Sequence, residues 1–141
     1  MQFDFSERPD GQVDVRLGND WPVFNEALAD SVSSLPPRGE DVVGPSTYWV
    51  DVALTGLERA LAAASDRPFT WGNSTLFRVR AGRVEARFDY DDDDVAGEFM
   101  AVADLRTVLR EWRLRIQLSA ARATQSLPET YRRNPTSDLG Q

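Results

Sequence analysis

The stretch Leu76-Phe77-Arg78-Val79-Arg80-Ala81-Gly82-Arg83-Val84-Glu85-Ala86-Arg87-Phe88-Asp89-Tyr90 alternates apolar and polar residues on both sides of Ala81-Gly82. Alternation is the period of a strand with one buried face, and a Gly-containing pair between two such runs predicts a hairpin. A turn there pairs Val79 with Val84 and Phe77 with Ala86 on one face, and sets Arg78 against Glu85 on the other. Ala-Gly is a poorer two-residue turn than Asn-Gly, because a type I′ turn needs positive φ at both central positions; a four-residue turn keeps the same register.

Helical periods flank this hairpin. Upstream, Trp49, Val52, Ala53, Leu57, Ala60, Leu61 and Ala64 share a face opposite Asp51, Thr55, Glu58 and Arg59, which predicts a helix from Ser46 to Ser65. Gly56 inside it costs about 1 kcal/mol relative to Ala and predicts the close approach of another element. Downstream, Leu105, Val108, Leu109, Trp112 and Ile116 mark a helix over Ala103 to Ala121, with Arg106, Arg110, Arg113 and Gln117 as an adjacent basic stripe. Leu114 and Leu118 fall off that face. Glu98 to Val102 reads equally as a short strand or as the start of the last helix.

Further out, Phe3 and Phe5, then Val13, Val15 and Leu17, alternate with polar residues around Pro9-Asp10-Gly11 and predict two more strands. Asp20 is a candidate cap for a short helix opening at Trp21-Pro22, with Phe24, Leu28 and Val32 at helical spacing. Ser33 to Ser46 is rich in Pro and Gly and reads as a loop. The sum is an α+β fold. An antiparallel sheet, joined by the amino-terminal strands, carries two main helices on one face, plus a short N-terminal helix. Residues 1–122 are expected to form a single domain and 123–141 a polar C-terminal tail.

Composition narrows the chemistry. The 141 residues contain no Cys, His or Lys. That removes disulfides, thiolate nucleophiles, Ser-His-Asp triads, His- or Cys-ligated metals, Schiff bases and P-loop phosphate binding. Paired carboxylates alone suffice for glycoside hydrolysis, but nothing in the spacing selects a pair, and the chain is expected not to be an enzyme and to need no cofactor. The net charge of −7 is unevenly spread: residues 1–58 carry eleven acids against three arginines, residues 106–141 three against seven. An acidic body lacks the continuous positive face that nucleic acid requires, so the expected partner is a basic protein. Without an apolar leader or a long apolar run, the chain is expected in the cytoplasm and not in a membrane.

Two segments are candidate sites. Asp89-Tyr90-Asp91-Asp92-Asp93-Asp94 places five carboxylates in six positions. Such a density suits a solvated loop, a hard cation, or a docking surface for a cationic protein, and Glu98 lies close enough in sequence to extend that surface. Asp89, Asp91 and Asp93 have the spacing of an EF-hand start, yet Asp94 occupies the glycine position and Met100 the twelfth, so the motif fails and no metal is assigned. The segment Trp71-Gly72-Asn73-Ser74 suits either a ligand pocket, with Trp71 as stacking face, or a plain helix-to-strand connection.

From Phe69 to Ile116 the chain resembles small bacterial immunity proteins of contact-dependent inhibition and related polymorphic-toxin systems. The resemblance rests on Trp71-Gly72-Asn73, the hairpin Leu76 to Tyr90, the acidic loop, and the closing helix with Leu105, Leu109 and Trp112. It covers about a third of the chain. It implies a cytoplasmic protein that binds and neutralises a cognate toxin domain, often a nuclease. On that reading the partner-binding residues are Asp89, Asp91, Asp92, Asp93, Asp94, Glu98 and Trp71.

Overall fold

A computed structural model describes residues 1–39, 44–92 and 94–125. The central hairpin has the register that alternation predicts. Strands β1 (Phe3–Glu7) and β2 (Val13–Leu17) precede a helix α1 (Pro22–Ala27), which continues as a π-helical turn over Leu28–Val32. Helix α2 (Tyr48–Ala62) follows, then β3 (Thr70–Trp71), β4 (Thr75–Arg80), β5 (Arg83–Phe88), β6 (Glu98–Ala101) and helix α3 (Val102–Gln125). In the β4–β5 pair, Val79 faces Val84, Phe77 faces Ala86 and Arg78 faces Glu85. The two-residue turn is realised: Ala81 has φ 52° and Gly82 φ 77°. An alanine held in the left-handed region costs about 1 kcal/mol. Ala81→Asn is therefore expected to raise stability by about 0.5–1 kcal/mol, read as a higher urea midpoint at unchanged slope. An unchanged or lower midpoint would contradict the strain.

The fold is α+β, with one difference in sheet membership. Strands β3-β4-β5-β6 form an antiparallel meander, whereas β1 and β2 pair only with each other as a separate two-stranded sheet. The reason lies in α3, which spans both sheets. Its Trp112 indole N–H donates to the Val13 carbonyl at 2.8 Å, and the Arg115 guanidinium lies over the Phe5 ring. The hairpin thus buries its apolar face, with Val13 and Leu17, against α3 rather than extending the larger sheet.

One core unites the layers. Phe77, Val84, Ala86 and Met100 from the four-stranded sheet meet Phe24, Leu28 and Val32, Val50, Ala53 and Leu57, and Leu105, Val108, Leu109, Trp112 and Ile116. The α3 stripe is the predicted one. In α2 the buried line runs through Val50 instead of Val52, which is exposed. Gly56 meets the expected neighbour, since a Cβ there would lie 3.0 Å from the Phe69 carbonyl oxygen. Glu98 to Ala101 is a strand that runs directly into α3, which continues to Gln125, three residues past the expected boundary at 122. Residues 126–141 of the expected tail lie outside the described residues. Two members of the basic stripe of α3 are spent on α2, through Arg106 to Glu58 at 2.7 Å and Arg113 to Asp51 at 2.6 Å, while Arg110 is exposed.

Candidate partner-binding surface

Strand β5 is covered on both sides, which alternation alone does not reveal. Val84 and Ala86 face the helices, while Glu85 and Arg87 point away from them and are nonetheless 0% and 3% exposed. Their cover is the acidic loop after β5, folded back across the outer face. Arg87 Nη2 donates to the carbonyl oxygens of Asp91 at 3.2 Å and Asp92 at 2.6 Å. Glu85 Oε2 accepts the Gly97 N–H at 3.0 Å, and its Oε1 accepts Arg78 Nε at 2.5 Å. Arg87 Nη1 and Arg80 Nη1 stand 3.5 and 3.8 Å from the same carboxylate. Burial pushes the Glu85 pKa up, but the hydrogen bonds from Arg78 and Gly97 and the charges of Arg78 and Arg87 outweigh it, leaving the carboxyl below the ordinary value.

This anchoring gives the loop a polarity. The carbonyls of Asp91 and Asp92 turn inward to a buried cation, and the side chains of Asp89, Asp92 and Asp94 are exposed, with Asp91 half-buried. None of these four carboxylates has an ion-pair or hydrogen-bond partner among the described residues. Asp93 lies outside the described residues. Among the described residues no three acidic side chains converge as a metal centre would require.

Glu98 lies elsewhere. It faces the core side of β6, where its two oxygens accept the backbone N–H groups of Val23 and Phe24, each at 2.9 Å. It therefore caps α1 across 75 residues, the task the sequence suggested for Asp20, and its carboxylate is not part of the exposed acidic group.

Trp71 is brought to the same face as the loop. In the row Trp71, Leu76, Arg87 it sits on the edge strand, ~10 Å from Arg87 at two strand spacings. The turn after it is clamped by Asp30, at the end of the first helical segment. Asp30 accepts the N–H groups of Asn73, Ser74 and Thr75, each at 3.0 Å, and the Thr75 hydroxyl at 2.6 Å. Desolvation raises the Asp30 pKa, but these four hydrogen bonds outweigh it and hold the group below the usual aspartate range. A Cβ on Gly72 would lie 2.3 Å from Asp30 Oδ2, so the turn admits no side chain there. The Asp89 N–H donates to the Ser74 carbonyl at 2.9 Å and joins the clamped turn to the acidic loop. Trp71 is 65% exposed and Tyr90, stacked on Phe88, is 70% exposed.

Two exposed aromatic rings thus share this face with the carboxylates of Asp89, Asp92 and Asp94, on segments anchored by Arg87, Glu85 and Asp30. The sequence pointed to the carboxylates and Trp71. It gave no sign of the three anchoring residues, because their partners lie on other elements or on loop backbone. Among the described residues no helix is long and apolar enough to cross a membrane. No known protein family, curated protein or solved structure matches the chain.

Proposed function

We propose that this chain is an immunity-like binding protein, acting in the cytoplasm without catalysis, that neutralises a basic toxin domain by covering its active site with the Asp89–Asp94 surface. The observation that carries the reading is a polarity: the carbonyls of Asp91 and Asp92 are held inward by Arg87, while the carboxylates of Asp89, Asp92 and Asp94 are exposed and have no partner among the described residues. A segment held at Asp91 and Asp92 before encounter loses less entropy on binding, and its negative field steers a cationic partner. Trp71 and Tyr90 supply the large, stiff contact area typical of interface anchors. The net charge of −7 acts in the same direction.

The test is binding to a basic protein encoded beside this chain, with wild type compared to a variant in which Asp91 to Asp94 are replaced by Asn. Affinity is expected to fall roughly 10–100-fold, about 1.4–3 kcal/mol, and to respond less to salt. Equal affinity would remove the acidic loop from the interface. Exposure of Trp71 favours a second reading, an accessory module that grips a protein or small ligand through the Trp71 turn. For that module Trp71→Ala abolishes binding and the Asn changes leave it intact; the opposite pattern excludes it.

A further inference from the structure

The polar face of the β1–β2 hairpin lines a cleft of about 400 Å³ that contains no residue of the acidic loop. Gln12, Asp14 and Arg16 alternate along that face, with Arg8 beside them, and the opposite wall is built by Asn25 of α1 and by Ser34. The volume falls in the range of small-molecule pockets.

The hydrogen bonds at its floor have a fixed direction. The Val13 N–H donates to Ser34 Oγ at 2.9 Å, and the Ser34 hydroxyl donates to Gln12 Oε1 at 2.7 Å. Gln12 is only 8% exposed, and this relay occupies its acceptor end. Its amide nitrogen, carrying two N–H groups, has no hydrogen-bond partner among the described residues and is not sealed from the cleft. Those two N–H groups are open to the cleft, where a bound acceptor can take the place of water on them.

The neighbouring groups are already committed. Arg8 and Asp14 form a two-point pair at 2.6 and 2.9 Å and cancel each other's charge. Asn25 spends its oxygen on the Leu17 N–H and its nitrogen on the Leu17 and Gly18 carbonyls. Arg16 is the exception. It is exposed at the rim without an ion pair among the described residues, even though Asp4 stands opposite it across the hairpin.

Apart from the hydroxyls of Ser6 and Ser33, which can donate or accept, the unspent capacity of the cleft is therefore donor capacity, two amide N–H groups of Gln12 and the Arg16 guanidinium, in a protein that is acidic overall. We infer that this cleft binds a small organic carboxylate, whose oxygens accept from Gln12 Nε2 and pair with Arg16. A carboxylate matches a guanidinium fork, and the charge-assisted bond is about twice as strong as a neutral one. This site is separate from the acidic surface and stands or falls independently of the proposed function.

Succinate and its neutral diamide, succinamide, are the probes, and amide chemical shifts of the full chain are the readout. Succinate is expected to give saturable shifts at the Gln12 side-chain amide, Val13, Arg16 and Ser34, with succinamide binding more weakly. Gln12→Glu keeps the acceptor for Ser34 and replaces both N–H groups with a carboxylate. Arg16→Gln removes the charge at an exposed position that the fold does not depend on. Each is expected to weaken succinate roughly tenfold or more while the spectrum elsewhere stays that of the wild type. Absence of saturable shifts, equal binding of succinamide, or unchanged affinity in Arg16→Gln would overturn the assignment.

Discussion

Replacing Glu85 with alanine is expected to lower stability by about 3–5 kcal/mol, measured by urea unfolding. The carboxylate is fully buried and is the shared counter-charge of Arg78 and Arg87. Removing it leaves the near-fully buried Arg87 guanidinium without its counter-charge in a poorly solvating place and takes a charged acceptor from Arg78. The loss is expected to reach the acidic loop as well, since Glu85 Oε2 is the acceptor for the Gly97 N–H. Hydrogen exchange at Gly97 is then faster than global unfolding allows. A triple replacement, Arg78→Met, Glu85→Leu and Arg87→Met, is expected to recover most of the global stability, because apolar groups of similar volume avoid the desolvation cost. It does not recover the loop's order, for the carbonyls of Asp91 and Asp92 lose Arg87. A loss below about 1 kcal/mol in Glu85→Ala would show that the cluster is not the anchor described here.

Asp30→Ala is expected to cost about 3 kcal/mol, the second large effect. Four donors lose one carboxylate, and bonds to a charged acceptor exceed the ordinary net value of about 1 kcal/mol each, although water reaches part of the turn. The turn carries Trp71, so the variant is expected to loosen that ring as well as the fold, visible as a shift in indole fluorescence. Asp30 also gives the effect a pH signature. The folded pKa values of Asp30 and Glu85 lie below their ordinary 3.8 and 4.5. A lowered carboxylate pKa contributes stability that is fully present above the unfolded value and disappears as pH falls through the folded one. Wild-type melting temperature is thus expected to be flat above pH about 5 and to fall progressively below about 4. Asp30→Ala flattens part of that acid limb; an identical limb in variant and wild type would contradict the clamp.

Legibility in the sequence followed the range of each signal. The β4–β5 register was readable because apolar alternation and a reversing Gly are local, and α2 and α3 because a 3.6-residue period persists over several turns. The close approach at Gly56 was readable because nothing else justifies a glycine in that helix. The two-sided burial of β5 was not, since Arg78, Glu85 and Arg87 spell the same polar face whether water or the chain's own loop lies over it. The cap of α1 was misplaced for a related reason. Asp20 is adjacent in sequence, but Glu98 arrives from β6 with two oxygens aimed at two N–H groups. Asp30 carries no local signature at all, because its partners are backbone N–H groups more than forty residues away. Within the acidic segment, residue type identified the carboxylates as a surface candidate. Only the structure supplied the inward carbonyls and the separation of Glu98 from the exposed group.

An electrostatically steered encounter has a kinetic mark that packing contacts lack. The association rate with the neighbouring basic protein, followed by stopped flow over a range of ionic strength, is predicted to fall steeply with salt for the wild type. It is predicted to fall much less when Asp91 to Asp94 are Asn. A wild-type association rate that salt leaves unchanged would contradict the claim that this loop draws its partner in.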